Sequence, residues 1–78
     1  MEKGKVISSS KIDNQPWVYE VVLADDECHV NAKLRPEDEK VIGKPKPNDD
    51  VFVLEHKRGQ YIIVERNGKV GPSGQQGF

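Results

Sequence analysis

A chain of 78 residues has room for one domain, and a domain of that size buries only about 60% of the surface its unfolded chain exposes, so its core is small. Twelve Lys and Arg against thirteen Asp and Glu leave a formal net charge of −1, which supplies no overall field to gather a polyanion. No apolar run approaches the ~20 residues of a membrane helix, Met1 to Lys5 leads into no apolar signal segment, and the single Cys28 lacks a partner for an internal disulfide; these features fit a chain without membrane contact in a reducing compartment, the cytosol being the simplest.

In chain order, Lys5 to Ile12 is a β-favourable run softened by three serines and predicts a first strand. Asp13-Asn14-Gln15-Pro16 is dense in turn formers, and Pro16 pushes Gln15 into extended geometry, so a loop precedes the second strand. From Trp17 to Ala24, alternation places Trp17, Tyr19, Val21 and Leu23 on the face assigned to the core, with Val18, Glu20 and Val22 on the other. Asp25-Asp26 turns the chain. Glu27 to Arg35 then alternates cleanly, with Cys28, Val30, Ala32 and Leu34 inward and Glu27, His29, Asn31, Lys33 and Arg35 outward.

Pro36 to Gly43 changes character: Pro suits a first helical position, three acids favour a first turn and Gly suits the end, which predicts one or two helical turns. Lys44-Pro45-Lys46-Pro47 is an extended connector, since its prolines cannot donate to a ladder. Val51 to Leu54 and Tyr61 to Val64 are strand-length runs joined by Lys57-Arg58-Gly59-Gln60, where Gly supplies the positive φ of a tight turn. Both runs are apolar on both faces, so one face of this hairpin needs the rest of the chain and the other invites a partner. Residues 68–78 hold four glycines and one proline and read as a tail that is disordered on its own, with Val70 and Phe78 as anchors of a docking arm.

Strand, strand, strand, short helix, strand, strand is the element order of an OB-like Greek-key β-barrel. The expectation is therefore an all-β domain over residues 1–67, a small five-stranded barrel with one short helix, and an arm over 68–78. Closing the sheet also removes edges that would otherwise invite aggregation.

Chemistry is sparse. Cys28, His29 and His56 are the only soft-metal candidates, fewer than the four ligands of a structural zinc site, and no cofactor is expected. Asp25-Asp26-Glu27 and Asn48-Asp49-Asp50 sit where Asp and Asn cap turns rather than where they would hold a hard cation. The glycine-rich tail has no lysine-serine ending or strand-to-helix context for a phosphate loop. Without a nucleophile setting or a paired-carboxylate pocket, the chain reads as a non-enzyme with no small-molecule substrate.

Two functional readings from different classes remain. Lys44-Pro45-Lys46-Pro47-Asn48-Asp49-Asp50-Val51-Phe52-Val53-Leu54, followed by Gly59-Gln60-Tyr61-Ile62-Ile63-Val64, resembles the ending of small barrels in phage baseplates and tail spikes, and Gly4 to Ser8 and Val30 to Leu34 resemble their first and third strands. Asn48 or Asp49 stands where that family has a glycine. The resemblance implies a non-catalytic virion protein, assembled in the host cytoplasm, that docks against copies of itself or neighbouring tail proteins. The alternative is a single-stranded nucleic-acid (RNA) binding OB-fold, since such barrels bind strands on the face of strands two and three; its candidates are His29, Lys33, Arg35, Lys57, Arg58 and Tyr61. Gly4-Lys5-Val6, the strand pair through Ala32 and Asn48 to Val53 also resemble the small bacterial translation initiation factor.

Overall fold

A computed structural model describes residues 1–11 and 13–75. Its strands are β1 (Glu2–Ser10), β2 (Trp17–Leu23), β3 (His29–Leu34), β4 (Asp50–Lys57), β5 (Gln60–Arg66) and β6 (Lys69–Val70), with helix α1 (Pro36–Ile42) after β3 and a single helical turn α2 (Pro72–Gln75) near the end. Antiparallel ladders join β1 to β2, β2 to β3, β1 to β4 and β4 to β5. A short parallel ladder, Ala32 opposite Tyr61 and Lys33 opposite Ile62, joins β3 to β5 and closes the ring. The circuit β1-β2-β3-β5-β4 is a closed five-stranded barrel with α1 between the third and fourth strands, the expected OB-like order.

Alternation decides what fills it. Tyr19, Val21 and Leu23 from β2, Ala32 and Leu34 from β3, Val51 and Val53 from β4, and Ile63 from β5 share one buried cluster with Val6 and Ile42, while Trp17 and Val30 are half-buried against it. The face assigned to the core in the second strand is thus the buried one. Helix α1 begins on Pro36 with Glu37, Asp38 and Glu39 in its first turn, and Gly43 ends it with φ +74°. These placements follow the helix dipole, and Gly43 supplies the positive φ at which the chain leaves the helix.

Two of the hairpin turns follow from residues that tolerate positive φ. Between β4 and β5, Gly59 has φ +76° and its N–H donates to Glu55 Oε2 at 2.8 Å. Between β5 and β6, Asn67 and Gly68 have φ +50° and +89°; positive φ at both central residues is the type I′ geometry that Asn-Gly favours.

Three expectations change. The first strand starts at Glu2, not Lys5, because β4 pairs with residues 2–5, and it ends at Ser10; Ile12 lies outside the described residues. Cys28 is exposed rather than inward. Glu27 takes φ +57° and Asp26 Oδ1 accepts the Cys28 N–H at 3.0 Å, so this is still turn, and inward alternation starts only with half-buried Val30.

The third change concerns the tail. Lys69–Gln75 folds onto its own barrel: β6 pairs with β5, the Gly71 N–H donates to Val64 O at 2.8 Å, and the Ser73 N–H donates to Asp38 Oδ1 at 2.9 Å. The approach is close enough that a Cβ on Gly71 would stand 2.5 Å from Asp38 Oδ1, and one on Gly74 would stand 2.9 Å from Val64 O. Val64 is fully buried although it lies outside the main core cluster. The second apolar face of the hairpin is therefore covered, at Val64, by the chain's own tail. Val70 is 37% exposed in β6, and Phe78 lies outside the described residues.

Candidate functional site

The loop at residues 13–16 and the β4–β5 turn flank the outer face of β2 and β3. Val18 and Lys33 are cross-strand partners there, and Lys33 is also paired with Ile62 at the closing seam. One depression between these elements is lined by Ser10, Gln15, Pro16, Val18 and Lys33. A second, sharing Pro16 and Lys33, adds Arg35, His56 and Lys57. No acidic residue lines either. In the opposite direction Gln15 and Pro16 also line a third depression, which holds Trp17, Lys11, Lys44 and Glu39. Pro16 borders all three depressions.

Trp17 forms a wall of the third depression. Its register puts it on the inner side, opposite Leu34, but it stands at the start of β2 where the barrel opens, so it is only half-buried. Its ring stacks on Tyr19 with centroids 6.3 Å apart and planes at 27°, and Lys44 Nζ lies 5.2 Å from the ring centroid, within cation–π range. Tyr19 beneath is buried. Its hydroxyl pKa is pushed above the usual 10.0, mainly by that burial and next by Glu39, with Arg66 opposing.

The sequence candidates separate here. Lys33, Arg35 and Lys57 line one depression. His29 does not: it lies at the other end of β3, and its Nδ1 is 2.6 Å from Glu20 Oε2 in an exposed hydrogen-bonded pair. Arg58 is exposed at the turn tip, outside that lining. Tyr61 lines the same depression as Lys33, Arg35 and Lys57 and, like Trp17, is half-buried against the core; burial, and then Glu55, raise its hydroxyl pKa. The sequence pattern assigns Trp17 to the core face and does not mark Lys11 or Lys44 as site residues. The signal that could have marked them is the Pro16-Trp17 junction, where a loop meets the first residue of a strand and a large ring is least covered.

A different surface runs along β1. Ile7 falls at the register shift between Val6 and Ser8 and is 42% exposed. With Val22, Leu23, Ala24 and Pro47 it contributes to a largely apolar cleft that also carries Lys3, Lys5, Glu27 and Asp50. Lys5 and Asp50 pair across β1 and β4 at 4.0 Å.

Cys28, His29 and His56 are not brought together: Cys28 is in the β2–β3 turn, His29 is on Glu20 and His56 lines the depression that holds Lys33. The turn acids act as caps, Asp26 on Cys28 and Asp49 Oδ2 on the Lys46 N–H at 2.8 Å. Among the described residues no helix is long and apolar enough to cross a membrane. Comparison with known protein families, curated proteins and solved structures finds no match to this chain.

Proposed function

We propose that the protein is a non-catalytic docking module that works through protein–protein contact, as its resemblance to virion tail barrels implies. The observation supporting this reading is the cleft along β1. A β-bulge turns Ile7 out to solvent beside Val22 and Pro47, and charges of both signs stand around them. An apolar centre among mixed charges is the composition of a protein interface, and exposed apolar surface of this kind marks interaction sites on small soluble domains. The occupant is a second copy of the chain or a neighbouring virion protein.

The test is particle mass. Light scattering on the purified protein, and on complexes that co-purify with it, is expected to give an assembly larger than one chain, and Ile7→Glu is expected to reduce it. A monomer at high concentration, with no co-purifying partner lost on the Ile7→Glu change, sinks the reading.

A further inference from the structure

We infer that Asp38 and the strip of β5 at Val64 form a seat for a Gly-x-x-Gly peptide segment, and that residues 71–75 are its resident occupant, exchangeable for the same segment of a second copy of the chain. The seat shares no residue with the β1 cleft, so the inference stands apart from the docking reading.

Shape is the first support. A Cβ at position 71 would stand 2.5 Å from Asp38 Oδ1 and 3.1 Å from Asp38 Cβ, and one at position 74 would stand 2.9 Å from Val64 O and 3.2 Å from Val64 Cβ. A strand carbonyl and a fully buried side chain cannot swing aside as a surface side chain does. Neither glycine takes a positive φ, so the demand is for space rather than for conformation. What the seat admits is a segment with two glycines three apart.

The polar floor is the second support. Asp38 is fully buried on α1; its Oδ1 accepts the Ser73 N–H at 2.9 Å, while its Oδ2 has no partner among the described residues. A carboxyl group held at that depth with one oxygen unmatched weakens the fold, and what it offers in return is an acceptor for the backbone of a segment laid over it. Val64 O accepts the Gly71 N–H at 2.8 Å and so extends the β5–β6 ladder by one step. Both donors are backbone groups of the occupant, so the contacts are the same whichever chain supplies it.

The resident segment is lightly held. No apolar side chain of residues 67–75 is buried, both residues of β6 are exposed and α2 is a single turn. Beyond the Asn67-Gly68 turn it is attached by two ladder pairs and the two hydrogen bonds just named, so it opens before the barrel does. A second copy is the fitting occupant because glycine recurs at 68, 71, 74 and 77, three successive Gly-x-x-Gly frames. In each frame the residue two after the first glycine, Val70, Ser73 or Gln76, keeps the N–H that Asp38 requires. Exchange of an identical element between copies remakes every bond that it breaks.

The probe is a synthetic peptide of residues 67–75 added to the isotope-labelled full chain. Amide signals of Asp38 and Val64 to Arg66 report the seat, and those of Gly71, Ser73 and Gln75 report the resident segment. A tethered segment competes at millimolar effective concentration, so the expected result is saturable shifts of both sets at millimolar peptide. A peptide carrying Gly71→Ala and Gly74→Ala is expected to move neither. In the full chain the same two substitutions are expected to lift the resident segment from a barrel that stays folded by circular dichroism. They are then expected to tighten binding of the unaltered peptide about 5- to 30-fold, because a seat that is mostly occupied lowers apparent affinity by its open fraction. Unlabelled unaltered chain in place of the peptide is expected to move the seat signals of that labelled variant, and failure to do so overturns the second copy as occupant. No shifts in the unaltered chain at millimolar peptide, or equal shifts from the alanine peptide, overturn the seat itself, and both are read without any variant of the chain. Binding that is no tighter in the folded variant overturns it as well.

Discussion

The two polar regions of this barrel use their charges in opposite ways. Around α1 and the C-terminal segment the polar side chains are mostly engaged: Arg66 Nε donates to Asp49 Oδ2 at 2.8 Å, its NH1 group donates to Ile42 O at 2.8 Å, and fully buried Asp38 accepts from the Ser73 N–H through Oδ1, while its Oδ2 is buried with no partner among the described residues. Around Pro16 the cations that line the depressions form no ion pair among the described residues. A charge that serves stability is desolvated and matched, while one that is left open contributes little to folding and is available for a ligand. In so small a domain the first region acts as a staple and the second as an exposed charged face.

The sharpest way to break the comparison is to remove the scaffold both regions share. Val53→Asp places an unpaired charge in the centre of the core and is expected to abolish cooperative unfolding by circular dichroism. Next in size is the staple. Arg66→Met leaves Asp49 partly buried without its cation and strips a donor from the C-terminal end of α1, and it is expected to cost about 2–3 kcal/mol in denaturant titration, less than a fully buried pair because both side chains keep 19% exposure.

The same pair has a pH signature. The Asp49 carboxyl is held below its usual 3.8, first by the Lys46 N–H and then, after an opposing effect of burial, by Arg66. A lowered carboxylate contributes stability above its unfolded value that fades as pH falls through the lower folded value, so Asp49→Asn is expected to flatten the acid limb of unfolding below about pH 4. Tyr19 acts at the opposite limb. Its raised hydroxyl contributes stability that is present below 10.0 and is lost as pH rises beyond it.

Smaller still, deleting residues 71–78 uncovers Val64 and leaves Asp38 Oδ1 without its donor. It is expected to lower stability by about 1–2 kcal/mol, whereas a free tether would leave the melting temperature unchanged. The smallest effect belongs to the exposed charged face: Lys33→Glu with Lys57→Glu is expected to shift stability by no more than about 0.5 kcal/mol. A larger loss there would show that these cations also serve the fold.

The barrel itself follows from periodicity and turn residues. Period-two alternation through Tyr19, Val21 and Leu23 names the buried face, and Pro36 with its acids names the helix, because these are local signals. Two features are harder to read. Asn67-Gly68 carries a strong hairpin signal, but the partner strand after it is only Lys69-Val70, and what buries Val64 is glycine backbone, which no hydrophobic pattern marks. The depressions around Pro16 are dispersed further, over a loop, two strands, a connector and a turn, so Lys33 and Lys57 show themselves as outward cations while Lys11, Lys44 and Trp17 come to Pro16 only through the tertiary fold. His29 could not be separated from Lys33 by alternation, since both face outward, and only the register of Glu20 removes it.

That closure has a kinetic side. The ring is completed by a parallel ladder of two residue pairs, the briefest junction in the barrel. With only two residue pairs to hold it, this seam is expected to open before the longer ladders: amides of Ala32 to Lys33 and Tyr61 to Ile62 are expected to exchange with solvent ahead of those in the β1–β2 ladder, which hydrogen-exchange measurements check.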